Sequence, residues 1–211
     1  ASAPANTGAT ASGAAFVFVR TGTTWAFQYH LKPANTGAAD EFGTSVAISG
    51  DTVAVGAPFE DSNQTTITNG ASASGSNLSA DSGAAYVFTR SGATWSQQAY
   101  LKAPNANPSD YFGDAIAIFE DTIVVGAWGE GSSDAVVTNG ATASADNSLA
   151  NAGAAYVFSR SGAAWSHQAY LKPSNNGGSG PNFGGAVAVF GSTVAVGAAQ
   201  DNACDAVSTY G

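Results

Sequence analysis

Residues 112–128 read FGDAIAIFEDTIVVGAW, and near-copies stand at 42–58 (FGTSVAISGDTVAVGAP) and at 183–199 (FGGAVAVFGSTVAVGAA). Each copy contains two short runs in which small residues alternate with branched ones. Such alternation over four to eight residues is typical of a β-strand. The two residues between the runs, Glu120-Asp121 in the second copy, fit a two-residue hairpin loop. The phrase therefore predicts a repeated antiparallel hairpin, which is framework and not a site.

The rest of the chain repeats with the same period. Gly13, Gly83 and Gly153 stand 70 residues apart. The tryptophans at 25, 95 and 165 keep the same spacing, and so do all six basic residues: Arg20, Arg90, Arg160, Lys32, Lys102 and Lys172. Self-similarity at a fixed period indicates a repeat architecture, so we predict one continuous array.

Each unit contains a second, larger hairpin after the first. In the second unit the four predicted strands are 114–119, 122–127, 154–160 and 165–172, with a turn at 161–164. No stretch has the 3.6-residue periodicity of an amphipathic helix. Four-stranded antiparallel units at regular spacing are typical of propeller blades. We predict an all-β fold whose inner strands, rich in Ala, Gly, Val and Ile, are covered on both faces.

The repeats divide the chain into four parts. We expect the outer hairpin of a split blade at 1–41, repeat 1 at 42–111, repeat 2 at 112–182 and the inner hairpin of the split blade at 183–211. Joining Gly211 to Ala1 would keep the 27-residue spacing from Gly56 to Gly83.

Three ways of completing the split blade are open. Either the three units belong to a longer propeller, or copies associate head to tail, or the units stack as an open fibre. Pairing of the chain's own ends would leave only three blades, whereas propellers have about 4–8. The absence of Met and of a signal peptide leads us to expect a mature or excised segment.

The order of motifs carries a family resemblance. Phe-Gly, a hairpin and Gly-Ala-Pro are followed by GAAYVFTRSGATWSQQAYLKA at 83–103. This order resembles the FG-GAP repeat family, which includes bacterial surface proteins and, more distantly, the propeller of integrin α subunits. The third copy departs from it, with Ala198-Ala199 where the first has Ala57-Pro58. The resemblance implies propeller-type blades and an extracellular or cell-surface location.

Integrin-type FG-GAP units often carry an Asp-x-Asp-x-Asp-Gly calcium loop between the first two strands. Here that place holds Gly50-Asp51, Glu120-Asp121 and Gly191-Ser192. Calcium takes about 6–8 oxygen ligands, so we expect tight turns and no cofactor. A weaker composite calcium site using Asp40-Glu41 and Glu60-Asp61 is left open.

No residues suggest catalysis. His30 and His167 occupy different positions of the repeat, and no acid near them in sequence orients either ring. One cysteine, Cys204, and two histidines are too few for a metal cluster. We expect a non-enzymatic protein with no catalytic and no metal-binding residues.

Candidate surface residues lie mainly in two inserts of 24 residues each, 59–82 and 129–152. Each insert holds an Asn-Gly step, which favours a small extra hairpin. Trp128 has no counterpart in the other repeats, and Tyr210 lies at the seam. The candidates for a ligand or assembly surface are Trp128, Asn69, Asn139 and Tyr210. The sequons at Asn63 and Asn77 are candidate glycosylation sites.

The repeated tryptophans face the repeated arginines across a turn. Trp25, Trp95 and Trp165 each follow an Arg by five residues, so we predict a cross-strand cation–π stack in each repeat. Stacking of these rings on sugars is the alternative.

The charge balance limits the partners. A formal net charge of −9 argues against nucleic acid and anionic membranes, and no apolar run is long enough for a membrane helix. We predict a non-enzymatic extracellular structural or adhesive protein that assembles with itself, or with the rest of a longer repeat chain, by completing the split blade. The alternative is a module that binds glycans or proteins through the inserts 59–82 and 129–152.

Overall fold

The computed structural model describes residues 9–174 and 180–202. These residues form β-strands and no helix, which confirms the all-β prediction. In chain order the strands are β1 (Ala15–Thr21), β2 (Thr24–Leu31), β3 (Ser45–Ser49), β4 (Thr52–Ala57), β5 (Thr68–Asn69), β6 (Ala84–Ser91), β7 (Thr94–Leu101), β8 (Ala115–Phe119), β9 (Thr122–Ala127), β10 (Thr138–Asn139), β11 (Ala154–Ser161), β12 (Ala164–Leu171), β13 (Phe183–Phe190) and β14 (Thr193–Ala198).

The strands form two full blades and two half-blades, all antiparallel. Blade 1 has the strand order β3-β4-β6-β7-β5, and blade 2 has the equivalent order β8-β9-β11-β12-β10. The N-terminal half-blade is the outer hairpin β1–β2, and the C-terminal half-blade is the inner hairpin β13–β14. Within the described residues the two half-blades do not pair with each other, so this part of the chain is an open array.

The four predicted strands are present in each full blade, and a short fifth strand that the sequence did not predict joins them at the edge. The fifth strand comes from the insert, where Thr68 pairs with Tyr100 and Asn69 with Ala99. The predicted small hairpin in each insert is wrong, because only these two residues pair and they pair with β7. Gly70 has a positive φ of 111°, whereas Asn69 does not. A type I′ turn needs positive φ at both central residues.

The predicted two-residue turn of the inner hairpin is confirmed, whereas the outer turn is shorter than predicted. Phe119 pairs with Thr122, which leaves Glu120-Asp121 as the two-residue loop. Glu120 has a positive φ of 51°, a conformation that glycine provides at the equivalent Gly50 and Gly191. In the outer hairpin the strands run further than predicted and leave only the loop 162–163.

Adjacent blades pack a bulky face against a small face. Along β6, Tyr86 and Phe88 join a core cluster with residues of the N-terminal half-blade, including Val17. Ala85 and Val87 alternate with them and join the cluster shared with blade 2. This two-sided burial follows from the period-2 alternation of side chains along a strand. Each blade thus presents aromatic rings to the preceding unit and small side chains to the following one.

The repeated phrase provides the closest contact between units. A Cβ added to Gly56 would lie 1.9 Å from the carbonyl oxygen of Gly113, and one added to Gly126 would lie 1.9 Å from that of Gly184. The Gly-Ala end of one inner hairpin therefore receives the Phe-Gly start of the next. Only glycine leaves room for such an approach.

We expect Gly126→Ala to destabilise the fold by about 1–3 kcal/mol, the usual cost of overpacking, because the added methyl meets the backbone of Gly184. Urea unfolding followed by tryptophan fluorescence measures the change. Gly75→Ala is the matched control, since no atom lies within 4 Å of the Cβ it would add. Equal stability of Gly126→Ala and the unmutated chain would contradict this account of the contact.

Candidate assembly surface

The joint between blades 1 and 2 is fastened at its outer edge by an insert residue. Asn69 Nδ2 donates a hydrogen bond to the carbonyl of Trp165 at 3.2 Å, and the Trp165 amide donates to Asn69 Oδ1 at 2.8 Å. The indole Nε1 of Trp165 donates to Gln98 Oε1 at 2.8 Å. Asn69 and Trp165 are 96 residues apart in sequence, so this pair of bonds ties one blade to the next.

Asn139 is the equivalent residue of blade 2, and it is exposed. Its side chain makes no hydrogen bond within residues 9–174 and 180–202, and neither does that of Gln168, the counterpart of Gln98. The blade that these two side chains would contact is only half described, because no outer hairpin pairs with β13–β14 within residues 9–174 and 180–202.

The tryptophan–arginine stacks are confirmed in all three repeats. The guanidinium carbon lies 5.9, 5.5 and 5.1 Å from the ring centroid in the pairs Arg20–Trp25, Arg90–Trp95 and Arg160–Trp165. The residues of each pair are direct cross-strand partners.

The acids of the inner hairpin turns bind these arginines. Arg90 Nε donates to Asp51 Oδ1 at 2.7 Å, and Arg160 Nε donates to Asp121 Oδ1 at 2.7 Å. The two turns thus present their carboxylates to side chains of their own blades. Within the described part of the chain no group of three His, Cys, Asp or Glu residues could hold a metal ion.

The N-terminal half-blade exposes the bulky face that blades 1 and 2 bury. Trp25 is 65% exposed, while Trp95 and Trp165 are 3% and 2% exposed. Phe16 and Phe18 are 51% and 55% exposed, although their counterparts in both full blades are buried. Val46 and Ile48 on β3 of blade 1 are also exposed, beside Phe16 and Phe18. We call Phe16, Phe18 and Trp25 the bulky face.

The C-terminal half-blade leaves a complementary core incomplete. Val124, Ala155, Val157 and Ala169 form the small face of blade 2, and valines of β13 and β14 cover part of it. In the equivalent cluster between blades 1 and 2 the aromatic residues of β11 and β12 complete the cover. No such aromatic residues cover this cluster within the described residues.

A buried carboxylate fixes the start of each insert. Glu60 accepts hydrogen bonds from Tyr100 Oη at 2.9 Å, Asn35 Nδ2 at 3.0 Å and Lys102 Nζ at 3.2 Å. In blade 2, Glu130 has the equivalent partners Tyr170, Asn105 and Lys172. The Lys and Glu side chains are almost completely buried. Such charges are stable only when paired and fully hydrogen-bonded.

Burial sets the electrostatics of this network. Desolvation lowers the pKa of Lys102, and the nearby Glu60 carboxylate partly offsets that effect. The pKa of Tyr100 is raised, first by burial and then by Glu60. Desolvation also raises the pKa of Asp40 to about 6 and that of Asp110 to about 7.

Glu60 and Asp40, two acids of the composite calcium site left open by the sequence, have protein partners in the described residues. Glu60 is paired with Lys102, and Asp40 accepts the backbone N–H of Gly37 at 2.8 Å. These acids repeat more regularly than expected, because Glu60 and Glu130, like Asp40 and Asp110, are 70 residues apart. That spacing, shared with the lysines, was the signal that could have revealed the buried pairs.

The other candidate residues are dispersed. Trp128 is half-buried and stacks on Tyr111, with ring centroids 4.6 Å apart and planes at 10°. Asn63 and Asn77 are exposed on the first insert, so both sequons are accessible and glycosylation stays a prediction. Tyr210 lies outside the described residues. Binding of a glycan or protein by the inserts also stays a prediction.

The two histidines lie on different blades. His30 pairs with Phe16 across β1–β2, and His167 pairs with Phe158 across β11–β12. Burial lowers the pKa of both rings.

Asp110 makes stability depend on pH. Its pKa rises from 3.8 to about 7 on folding because of burial, although the N–H of Asn107 opposes the shift. Between these two values the folded chain binds a proton that the unfolded chain does not, so its contribution to stability is lost as pH rises from about 4 to 7.

Asp110→Asn keeps an acceptor for Asn107 and removes the charge. We expect the variant to be more stable than the unmutated chain at pH 8, by at most about 4 kcal/mol, and the difference to shrink toward pH 4. Urea unfolding of both proteins at several pH values measures it. A difference that does not change with pH would contradict the assignment.

Within the described residues no helix is long and apolar enough to cross a membrane.

The comparisons with known proteins agree with this architecture. No protein of curated function is significantly similar to the chain. The family model of the FG-GAP repeat matches three segments, 25–88, 95–158 and 165–210, which together cover most of the chain. With three matches at the spacing of the blades, the chain belongs to the FG-GAP repeat family.

Proposed function

We propose that this protein is a non-enzymatic structural or adhesive repeat module of the cell surface or the extracellular space. It self-assembles by completing its split blade. The partner is a second copy, or further repeats of the same kind in a longer chain. The single observation that carries the proposal is the exposed bulky face beside β1–β2, whose counterparts in blades 1 and 2 are buried at blade–blade joints.

The energetics favour completion of the blade. Fully burying an exposed large apolar side chain contributes about 1.5–3 kcal/mol, and the bulky face offers three large side chains that are 51–65% exposed. Strand pairing would also satisfy the backbone groups at the free edges of β1 and β14. Exposed apolar edges of this kind are sites of pairing with another chain.

The geometry of the joint determines the form of the assembly. The contact is heterologous, since the bulky face of one unit meets the small face of another. Heterologous contacts give a ring when the rotation closes and a filament when it does not. Two copies joined at both ends would make six blades, which lies within the range of about 4–8 for closed propellers.

The extracellular location rests on the family, whose repeats are typical of extracellular or surface proteins. The two exposed sequons are compatible with a secreted protein. The non-enzymatic role rests on the use of the buried acids in structural pairs with lysine.

Light scattering coupled to size exclusion tests the assembly. At micromolar concentration we expect a mass of at least two chains, each of 20.8 kDa. Trp25→Ala removes an exposed ring of the bulky face and should weaken association about 30-fold or more, as expected for a hot-spot residue worth about 2 kcal/mol.

Leu78→Ala is the control, because Leu78 is 81% exposed, more than Trp25 at 65%, but lies in the insert and not on a half-blade. It should leave association unchanged. A chain that stays monomeric up to about 100 μM, a concentration at which an association worth about 5–6 kcal/mol would be detected, contradicts the proposal.

A further inference from the structure

The two half-blades of this chain have the features of one blade cut in two. In the described residues no aromatic side chains of an outer hairpin cover the third core cluster beside blade 2, while the aromatic side chains of β1–β2 are exposed. In both full blades the Phe of the Phe-Gly pair packs on two rings of the outer hairpin. For Phe112 these rings are Tyr156 and Phe158, at 5.3 and 6.0 Å. At the equivalent positions Phe183 would meet Phe16 and Phe18.

The internal repeats determine the register in which the halves would pair. Thr52 pairs with Thr89 in blade 1, and Thr122 pairs with Ser159 in blade 2. The same offset places Thr193 of β14 opposite Val19 of β1. It also places Gly197 opposite Ala15, in the way that Gly56 pairs with Ala85.

The polar partners are also divided between the two ends. Trp25 Nε1 is the counterpart of Trp165 Nε1, which donates to Gln98. In the completed blade the indole Nε1 of Trp25 would donate a hydrogen bond to Gln168 of the preceding unit. Asn139 would bind the backbone of Trp25 as Asn69 binds that of Trp165.

A charge pair completes the match. Lys32 is the counterpart of Lys102 and Lys172, whose buried partners are Glu60 and Glu130. The residue at the position of these glutamates in the C-terminal half-blade is Asp201, whose amide donates to Ala198 as that of Glu60 donates to Ala57.

We infer that β14 of one copy pairs antiparallel with β1 of a second copy, with Thr193 opposite Val19, and that this joint repeats the internal blade contacts. The bulky face of the second copy covers the cluster around Val157 of the first. Trp25 of the second copy forms hydrogen bonds with Gln168 and Asn139 of the first copy, and Lys32 of the second copy pairs with Asp201 of the first. The inference rests on the proposed self-assembly and specifies its partner and contact residues.

Disulfide formation between two single-cysteine variants tests the register. In a Cys204→Ser background, Thr193→Cys and Val19→Cys are mixed and oxidised gently. The Cα atoms of directly opposed residues lie about 4.5–5.5 Å apart, within the about 4.4–6.8 Å between Cα atoms that a disulfide spans. We expect a covalent dimer on a non-reducing gel.

Thr21→Cys mixed with Thr193→Cys is the matched control. Thr21 is on the same face of β1 but two residues further along, where the separation of about 7–8 Å exceeds the disulfide range. Cross-linking of this pair in preference to the Val19 pair would overturn the register. If light scattering shows assembly but the Val19 pair does not cross-link, the joint is wrong while the proposed function stands. A chain that is monomeric in light scattering contradicts both the joint and the proposed function.

The chain carrying both Val19→Cys and Thr193→Cys separates a second copy from closure within one chain. We expect covalent species of two or more copies. An internally cross-linked monomer would overturn the assignment of a second copy as the partner.

Gly197→Ala provides an independent test at the joint. Gly197 is the counterpart of Gly56 and Gly126, but within the described residues no backbone of a following unit lies against it, and the nearest atom to an added Cβ is Ala186 Cβ at 3.3 Å. By equivalence, the added methyl meets the backbone of Gly43 in a second copy. We expect unchanged thermal stability of the single copy and association weakened at least tenfold.

Gly75→Ala, in the open insert, should change neither quantity. Unchanged association of Gly197→Ala would overturn the predicted contact.

Discussion

The packing of an aromatic face on a small face between neighbouring blades is the contact on which the rest of the structure depends. Tyr86 and Phe88 point to one neighbour, and Ala85 and Val87 point to the other. A blade therefore cannot bury its own core, because each of its faces needs the opposite face of another blade. The stability of such arrays is approximately a sum of unit terms and nearest-neighbour interface terms. Each face without a partner therefore lowers the stability of the array by one interface term.

The glycines of the repeated phrase and the buried Lys–Glu pairs maintain that packing in different ways. Gly56 and Gly126 let backbones approach more closely than any side chain allows. Glu60 and Glu130 hold the inserts to the outer hairpins. They also bind Asn35 and Asn105, each of which precedes the inner hairpin of the same blade. Because a buried charge without its partner is costly, these pairs fix a single arrangement of blade, insert and connecting loop.

Much of the fold could be predicted from the sequence because its determinants are local or exactly periodic. The hairpin loop at Glu120-Asp121 and the stack of Arg160 on Trp165 follow from neighbours in sequence. The fifth strand was missed because Asn69 was interpreted by its local turn preference. Its side chain instead bonds Trp165, 96 residues away, and its backbone joins β7. Contacts of that range depend on the three-dimensional arrangement of blades, which no local pattern encodes.

The free edges of the array lack the usual protection against pairing. Natural edge strands are commonly blocked by charged residues, prolines or bulges, whereas β14 reads TVAVGA without any charge or proline. β1 carries one basic residue, Arg20, which is stacked on Trp25. β1 does have an irregularity at Val17/Phe18, but the equivalent one in β6 and β11 does not prevent those strands from pairing with β4 and β9. Both edges therefore have the chemistry of interior strands, and edges with that chemistry favour pairing with another strand.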